Sequence, residues 1–303
     1  MGADTHSMLK IRKKIPAYGA AISAAVLMGS LGVFVRNVSA DASIIAFARL
    51  GFGFVFLVGF LVVTSNLRAV KVSMSPYLVA SGLSIGLCVW SYVEAVDQTS
   101  LANAAFLLYL GPLLAVGFAY PLLKEKPALT SAVLIGLAFL GCLFVLQFNL
   151  YFSMADALVH VYGLLSALCY ALFIVTNRKI PPHVSPLGRS FYQLLWATLT
   201  LIPTLSANKI HVSLQDLPWL VAVGFFQGFL ALTLMIFAIR HLTTSEYGIL
   251  SYLEPVTATL IGVAVYAEPI ALLQLVGGSI IVLSGLAQIC VVQTDRIKPP
   301  NAP

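Results

Sequence analysis

Charge is scarce in this sequence. Only 9% of its 303 residues are Asp, Glu, Lys or Arg, whereas soluble globular domains carry about 25 per cent. Hydrophobic residues make up 60% of the chain, and its mean hydropathy is +0.97. Because so few charged side chains cannot cover a water-facing surface of this size, the composition excludes the soluble globular and the disordered classes. We predict an integral membrane protein.

Cysteines and catalytic motifs are also few. The segment 82–86 reads Gly-Leu-Ser-Ile-Gly and matches the esterase pattern G-x-S-x-G. That motif needs a strand-to-helix turn and a His partner, whereas this copy lies inside an apolar run. The four cysteines have no metal-ligand spacing, so we interpret them as packing residues; they are Cys88, Cys142, Cys169 and Cys290. We therefore predict no enzyme activity, no metal site and no cofactor.

Apolar runs near the length of about 20 residues that spans a bilayer as a helix follow one another along the whole chain. They fall at roughly 16–35, 42–64, 74–96, 100–123, 128–148, 157–177, 187–206, 216–239, 245–267 and 270–292. The pattern predicts an all-α membrane protein with ten transmembrane helices. The segments 1–15 and 293–303 are predicted to be short tails, and short loops join the helices.

The basic residues predict the orientation. With the N-terminus in the cytoplasm, all seventeen Lys and Arg except Arg36, Arg49 and Lys209 lie on the cytoplasmic side, as the positive-inside rule requires. Both termini are therefore predicted to be cytoplasmic. Because topology accounts for the net charge of +6, we expect the bilayer and a small-molecule solute as partners and no nucleic acid.

The chain repeats one pattern, in which a Tyr precedes a Pro by three residues and a Glu follows that Pro by thirteen. The first copy consists of Tyr109, Pro112 and Glu125, and the second of Tyr252, Pro255 and Glu268. The two copies, 16–148 and 157–292, are related by an offset of 143 to 144 residues. Each copy crosses the membrane five times, so the second is inverted relative to the first. Inverted repeats are typical of transporters.

Smaller features of the duplication predict packing. Small faces on helices 3 and 8 predict close helix contacts; they carry Gly82, Gly86, Gly224 and Gly228. Helices 5 and 10 carry glycines that indicate packing or homodimer seams: Gly136, Gly141, Gly277, Gly278 and Gly285. Glu125 and Glu268 follow the ends of helices 4 and 9, where we expect each to cap the N-terminus of the next helix.

These residues resemble the EamA-type branch of the drug/metabolite transporter superfamily. The resemblance is carried by Ala104, Ala105, Pro112, Glu125 and Gly136, and again by Gly248, Pro255, Glu268 and Gly277. Lys124 and Ala267 depart from the family pattern, which commonly has Gly before the Glu. The resemblance implies two EamA-like repeats and transport of small metabolites such as amino acids, amines, carboxylates, nucleosides, vitamins or sugar derivatives.

Two ionisable residues are predicted deep in the membrane, where a charge is costly and indicates function. Glu254 lies about 15 Å into helix 9 and Arg49 about 10 Å into helix 2, at 1.5 Å per residue. Three arrangements are open. The two form a permanent or gating ion pair; or they line one cavity separately and bind the ammonium and carboxylate groups of a zwitterion; or Arg49 extends toward the outer surface.

The remaining candidates surround two predicted kinks. Pro112 and Pro255 cannot donate a backbone hydrogen bond, so helices 4 and 9 should kink at mirrored depths. Freed carbonyls at that depth are tolerated only in protein or a wet cavity. The predicted cavity lining is completed by Tyr109, Tyr252, Asn103, Ser251, Trp90, Tyr92, Gln193 and Gln227.

The sequence thus predicts a secondary transporter that exports amino acids or related zwitterions by alternating access. A drug, amine, nucleoside or vitamin carrier of the same fold is the alternative within transporters. A channel or a non-transporting membrane scaffold is the alternative of another class. A bacterial inner membrane is the expected location.

Overall fold

The computed structural model describes residues 2–98, 101–147, 157–207 and 212–294. The first repeat contains α1 (Gly2–Gly29), α2 (Leu31–Val35), α3 (Ala42–Val63), α4 (Pro76–Gln98), α5 (Leu101–Leu108), α6 (Leu110–Leu123) and α7 (Leu129–Val145). The second contains α8 (Ala157–Lys179), α9 (Pro186–Ala207), α10 (Leu217–Val223), α11 (Leu232–His241), α12 (Thr244–Ser251), α13 (Leu253–Tyr266) and α14 (Leu272–Thr294). A 3₁₀ turn covers Leu67–Val70, and a π-helical segment, Gly224–Ala231, joins α10 to α11. Within these ranges the regular structure is entirely helical, which confirms the predicted class.

Among the residues that the structure describes, eight helical spans are long and apolar enough to cross a bilayer: Lys14–Val35, Ala42–Val63, Pro76–Val96, Ala104–Leu123, His160–Lys179, Leu217–His241, Thr244–Tyr266 and Leu272–Val291. Helix α7 is a shorter apolar helix that packs on α14, and the 22-residue α9 packs on α3 and α4. The chain is therefore a multi-pass membrane protein. Ten crossings and cytoplasmic termini stay predictions.

The predicted transmembrane helices 4 and 9 correspond to α5–α6 and α12–α13. Both are interrupted just before their prolines. Helix α5 ends at Leu108 and α12 at Ser251, and these are the residues whose carbonyls Pro112 and Pro255 cannot bond. The intervening residues have nearly the same backbone, with φ −72° and ψ −4° at Tyr109 and φ −69° and ψ −5° at Tyr252. The same local cause therefore shapes both repeats.

Glycines let helices approach closely, as the sequence predicts. A Cβ on Gly228 would lie 1.8 Å from the carbonyl oxygen of Arg49, and one on Gly82 would lie 2.7 Å from Cβ of Trp196. A Cβ on Gly141 would lie 2.7 Å from the Gly277 carbonyl oxygen. Because this contact joins α7 to α14 of the same chain, Gly141 and Gly277 form an intramolecular seam.

The two ends of the helix bundle carry different residues. Hydrogen bonds bring Lys14, Glu125 and Arg178 to one end through α12, and we call it the inner end because it is predicted to be cytoplasmic. Arg36 and Asp216 lie at the opposite end, which we call the outer end.

Candidate solute-binding cavity

A cavity of about 190 Å³ lies between the two repeats. Its polar lining consists of Arg49, Tyr92, Tyr109, Tyr170, Tyr247, Ser251 and Glu254. The remaining walls are apolar, and they include Val35 at the end of α2, Ala42 at the start of α3 and Val96 near the end of α4. The cavity therefore extends from mid-membrane toward the outer end.

Glu254 lies just after the interruption between α12 and α13. It occupies the first turn of α13, where the helix dipole favours a negative charge. Tyr109 lines the same cavity as Glu254. The offset of 143 relates Glu254 to Gly111, where an added Cβ would lie 2.8 Å from Cδ1 of Tyr170. The first repeat therefore has no room for a second acid at this depth.

Arg49 lines the same cavity from α3. Its Nη2 donates to Sδ of Met28 at 2.7 Å, and its buried Nε has no hydrogen-bond partner. Thioether sulfur is a weak acceptor, so much of the hydrogen-bonding capacity of the guanidinium is unused. None of the ion pairs among the described side chains joins Arg49 to Glu254. In this structure the two charged groups line one cavity separately.

Tyr92 and Ser251 also line the cavity, whereas four other predicted residues do not belong to its described lining. Trp90 packs edge-on against Tyr162, with 5.7 Å between the ring centroids. The Tyr252 hydroxyl donates to the Tyr109 carbonyl at 2.8 Å. Tyr252 thus stabilises the interrupted backbone of the other repeat.

The two glutamines form internal hydrogen bonds away from the cavity. Gln193 donates to Oγ of Ser81 at 2.9 Å and accepts from Nδ2 of Asn177 at 3.2 Å. Gln227, in the π-helical segment, donates to the Leu27 carbonyl at 3.1 Å. Both therefore contribute to helix packing. Asn103, a further predicted lining residue, lies outside the described side chains.

Two tyrosines of the cavity were missed by the sequence reasoning. The hydroxyls of Tyr170 in α8 and Tyr247 in α12 are 3.0 Å apart and line the cavity together. Each could have been suspected from the sequence, because a tyrosine hydroxyl at mid-membrane depth needs a hydrogen-bond partner. Their pairing across 77 residues is a tertiary fact that no local pattern contains.

The inner end is closed by a network around Glu246. This buried carboxylate accepts from Nζ of Lys14 and from the hydroxyl of Tyr18, each at 2.9 Å. It also accepts from the backbone N–H of Thr243 at 2.7 Å, while the Thr243 hydroxyl accepts from the Glu246 backbone. This reciprocal capping box begins α12. The network ties α1 to α12.

A second ion pair closes the inner end between Glu125 and Arg178. Nε of Arg178 donates to Glu125 at 2.9 Å, and its other nitrogens bond the same carboxylate and the carbonyls of Ile239 and Leu242. Glu125 also accepts from the backbone N–H of Thr244 at 3.2 Å and from its hydroxyl at 3.0 Å. The prediction that Glu125 caps the next helix is wrong, because it caps α12 of the other repeat.

The outer end is held by an exposed ion pair and by a buried carboxylate. Arg36 pairs with Glu268 at 2.6 Å and lies 4.4 Å from the ring centroid of Tyr266. The predicted cap role of Glu268 is therefore also not observed. Asp216 accepts from the backbone N–H of Ser39 at 3.1 Å and from its hydroxyl at 2.8 Å. These hydrogen bonds hold the pKa of Asp216 below its usual value.

Comparison with known proteins agrees with this architecture. The model of the EamA-like transporter family matches residues 15–147 and again 157–288. The chain belongs to the EamA-like transporter family. Its two matches cover most of the chain, and it is accordingly an EamA-type membrane transporter with two repeats.

The individual relatives have low sequence identity to this chain. An uncharacterized transporter of Archaeoglobus fulgidus is 29% identical over 87% of this chain and 93% of its own length. The threonine/homoserine exporter RhtA of Escherichia coli is 26% identical over 82% of this chain and 83% of its own. A crystal structure with 17% identity covers 91% of this chain and 98% of that chain with a TM-score of 0.80. This structural likeness supports the fold alone.

Proposed function

We propose that this EamA-type transporter exports small amino acids or related zwitterions by alternating access, with Glu254 binding the ammonium group and Arg49 the carboxylate. The observation that carries the proposal is one acid and one base in a single cavity with no ion pair between them. Ionisable groups at membrane depth are functional candidates by default. The Escherichia coli relative RhtA, named as a threonine/homoserine exporter, agrees with this substrate class and direction.

The rest of the lining favours solutes without further charge. The described walls contain no third Asp, Glu, Lys or Arg, so a second ammonium or carboxylate on the solute would be buried unpaired. Tyrosine hydroxyls at Tyr92, Tyr170 and Tyr247 supply neutral hydrogen-bonding groups. We expect neutral amino acids to be carried in preference to lysine or glutamate. We also propose a bacterial inner membrane as the location, with both termini in the cytoplasm.

The test is trans-stimulated uptake of labelled amino acids into proteoliposomes. Glu254→Gln and Arg49→Gln should each lower the uptake of a neutral amino acid by at least about tenfold, because each removes a charge-assisted hydrogen bond. Glu94→Gln is the matched control, since Glu94 lies on α4 outside the described cavity lining.

Three outcomes would contradict the proposal in different ways. Uptake of amines, nucleosides or vitamins with no uptake of any amino acid would replace the substrate class. Flux without trans-stimulation would indicate a channel. Unchanged uptake by Glu254→Gln would remove Glu254 from the binding site.

A further inference from the structure

A second pocket opens at the inner end, away from the solute cavity. It has a volume of about 730 Å³ and is formed by the loop after α3, the start of α9 and the side of α11. Its basic side chains are Arg68, Lys71 and His183. Asn66, Ser73 and Ser185 add hydrogen-bonding groups, and no acidic side chain belongs to the described lining. The pocket therefore combines positive charge with hydrogen-bond donors.

The cations of this pocket differ from Lys14 and Arg178, which form ion pairs at the same end. Lys14 and Arg178 are neutralised by Glu246 and Glu125. Among the described residues, neither Arg68 nor Lys71 forms an ion pair or a side-chain hydrogen bond. Arg189, buried one turn into α9, bonds carbonyl groups and the Asn177 side chain and has no acidic partner in the described part of the chain. In the described part of the chain, no acidic side chain therefore pairs with Arg68 or Lys71.

The backbone around the pocket is already in place. The Tyr192 hydroxyl donates to the Val70 carbonyl at 2.9 Å, and a Cβ on Gly188 would lie 2.3 Å from the Ala69 carbonyl oxygen. The loop is therefore packed directly on α9. Pro186 and Leu187, at the start of this 22-residue helix, line the pocket, so the positive end of the helix dipole faces it.

The repeat shows why this end is cationic. Subtracting 143 from Asp216 gives Ser73, and adding 144 to Ser39 gives His183. At the outer end Asp216 and Ser39 are hydrogen-bonded to each other. At the inner end their counterparts, Ser73 and His183, both line the pocket. Asp216 supplies an acid at the outer end, whereas its counterpart at the inner end, Ser73, is uncharged.

We propose that this pocket binds the phosphate of an anionic phospholipid from the adjoining leaflet. Leu234 and Phe237 line it on α11, seven and four residues before the helix ends at His241. At 1.5 Å per residue they lie about 10 and 6 Å below that end, the depth at which an acyl chain begins. A charged rim above an apolar wall fits a phospholipid better than a free anion. Basic pockets between membrane helices on the cytoplasmic side bind such headgroups.

Lipid retention by the purified full-length protein tests the proposal. The protein is washed with an equal mixture of phosphatidylglycerol and phosphatidylcholine, and bound lipid is counted by native mass spectrometry. Wild type should retain phosphatidylglycerol preferentially. Arg68→Gln with Lys71→Gln should lower that preference by about tenfold. The matched control is Lys124→Gln with Lys126→Gln, which removes two charges outside the pocket and should preserve the preference.

Several results would overturn it. Equal retention of the two lipids by wild type, or equal loss in both double variants, would leave only diffuse attraction to positive charge. Binding of inorganic phosphate that needs Arg68 and Lys71 and displaces phosphatidylglycerol would identify a soluble anion instead. If the double variant does not fold, His183→Gln at the exposed rim should still lower the preference, and an unchanged preference there would also count against the proposal.

Discussion

The two ends of the molecule carry similar ion pairs in different surroundings. At the inner end Glu125 pairs with Arg178, and their side chains are 24% and 20% exposed. At the outer end Glu268 pairs with Arg36, and these side chains are 45% and 48% exposed. Glu125 follows α6 and pairs with Arg178 at the end of α8, in the other repeat. Glu268 follows α13 and pairs with Arg36, which follows α2 in the other repeat. Because burial reduces solvent screening, the inner pair holds its end together more firmly.

A second network makes the ends more unequal. Lys14 and Glu246 form an ion pair at the inner end. Their counterparts in the other repeat are Leu158, 144 residues after Lys14, and Asn103, 143 residues before Glu246. Leucine and asparagine cannot form an ion pair. Among the described residues, two ion-pair networks therefore close the inner end, whereas the outer end, toward which the cavity extends, has one exposed ion pair and the Asp216–Ser39 hydrogen bonds. The duplication supplies the glutamate of each pair, Glu125 and Glu268, and the surroundings decide how firmly each pair closes an end.

The largest effect is expected from breaking the inner pair. Arg178→Met leaves Glu125 partly buried without its charge partner, which should destabilise the closed inner end by roughly 2–4 kcal/mol, somewhat less than for a fully buried pair. A cysteine introduced at Ala105, a half-buried cavity residue, reports which end is open once the free Cys88 of the same cavity has been replaced by Ser. Its labelling by a membrane-impermeant maleimide should increase in inside-out vesicles and decrease in right-side-out vesicles.

Arg36→Met is the matched control at the outer end. An exposed pair contributes about 0–1 kcal/mol, so labelling should change little, and less still at high salt. Equal shifts in the two variants would show that burial does not distinguish the two pairs. Unchanged labelling in Arg178→Met would show that the inner pair is not what closes that end.

A smaller effect is expected from Asp216, which ties the outer end through Ser39. Its pKa is lowered by hydrogen bonds from Ser39, so the stabilisation is complete above the unfolded pKa of about 3.9 and is lost as pH falls through the lower folded value. The thermal midpoint of Asp216→Asn should therefore lie below that of wild type at pH 5 to 8. The two midpoints should converge below about pH 4. A constant difference down to pH 3 would exclude this linkage.

Local rules predicted much of the fold and part of the cavity. Pro112 and Pro255 lie just after the two helix interruptions because a missing N–H acts on a carbonyl four residues away. Counting residues from the helix ends led to Glu254 and Arg49, and both line the cavity. Depth along a helix follows from length alone, since each residue adds 1.5 Å.

The direction in which a side chain points could not be predicted in the same way. Gln193 and Gln227 lie in the bundle, but their hydrogen bonds to Ser81 and Leu27 turn them away from the cavity. For Gln227 the cause is partly local, because a π-helical segment changes the angle between successive residues relative to an α-helix. Its close contact with α3 depends on Gly53 and Gly228. The Tyr170–Tyr247 pair likewise depends on helices that are distant in the sequence.

The smallest effect is expected where the two ends are alike. Lys124 and Ala267 both end a helix in the left-handed region, with φ 56° and 52°, and the following N–H bonds the carbonyl six residues back at 3.2 Å in each case. Glycine adopts this conformation without the Cβ penalty. Lys124→Gly and Ala267→Gly should therefore each stabilise the protein by about 0.5–1 kcal/mol, after the greater unfolded entropy of glycine is subtracted.

Thermal unfolding in detergent checks this prediction, with Gly136→Ala as a control for the opposite exchange, since a Cβ there would meet nothing within 4 Å. Equal gains at Lys124 and Ala267 would show that the backbone is the same at both ends. The difference in how firmly the two ends are closed would then arise from their side-chain contacts. A gain at one site alone would show that the backbone also differs. A loss at both sites would mean that the side chains of Lys124 and Ala267 stabilise their helix ends by more than the left-handed backbone costs.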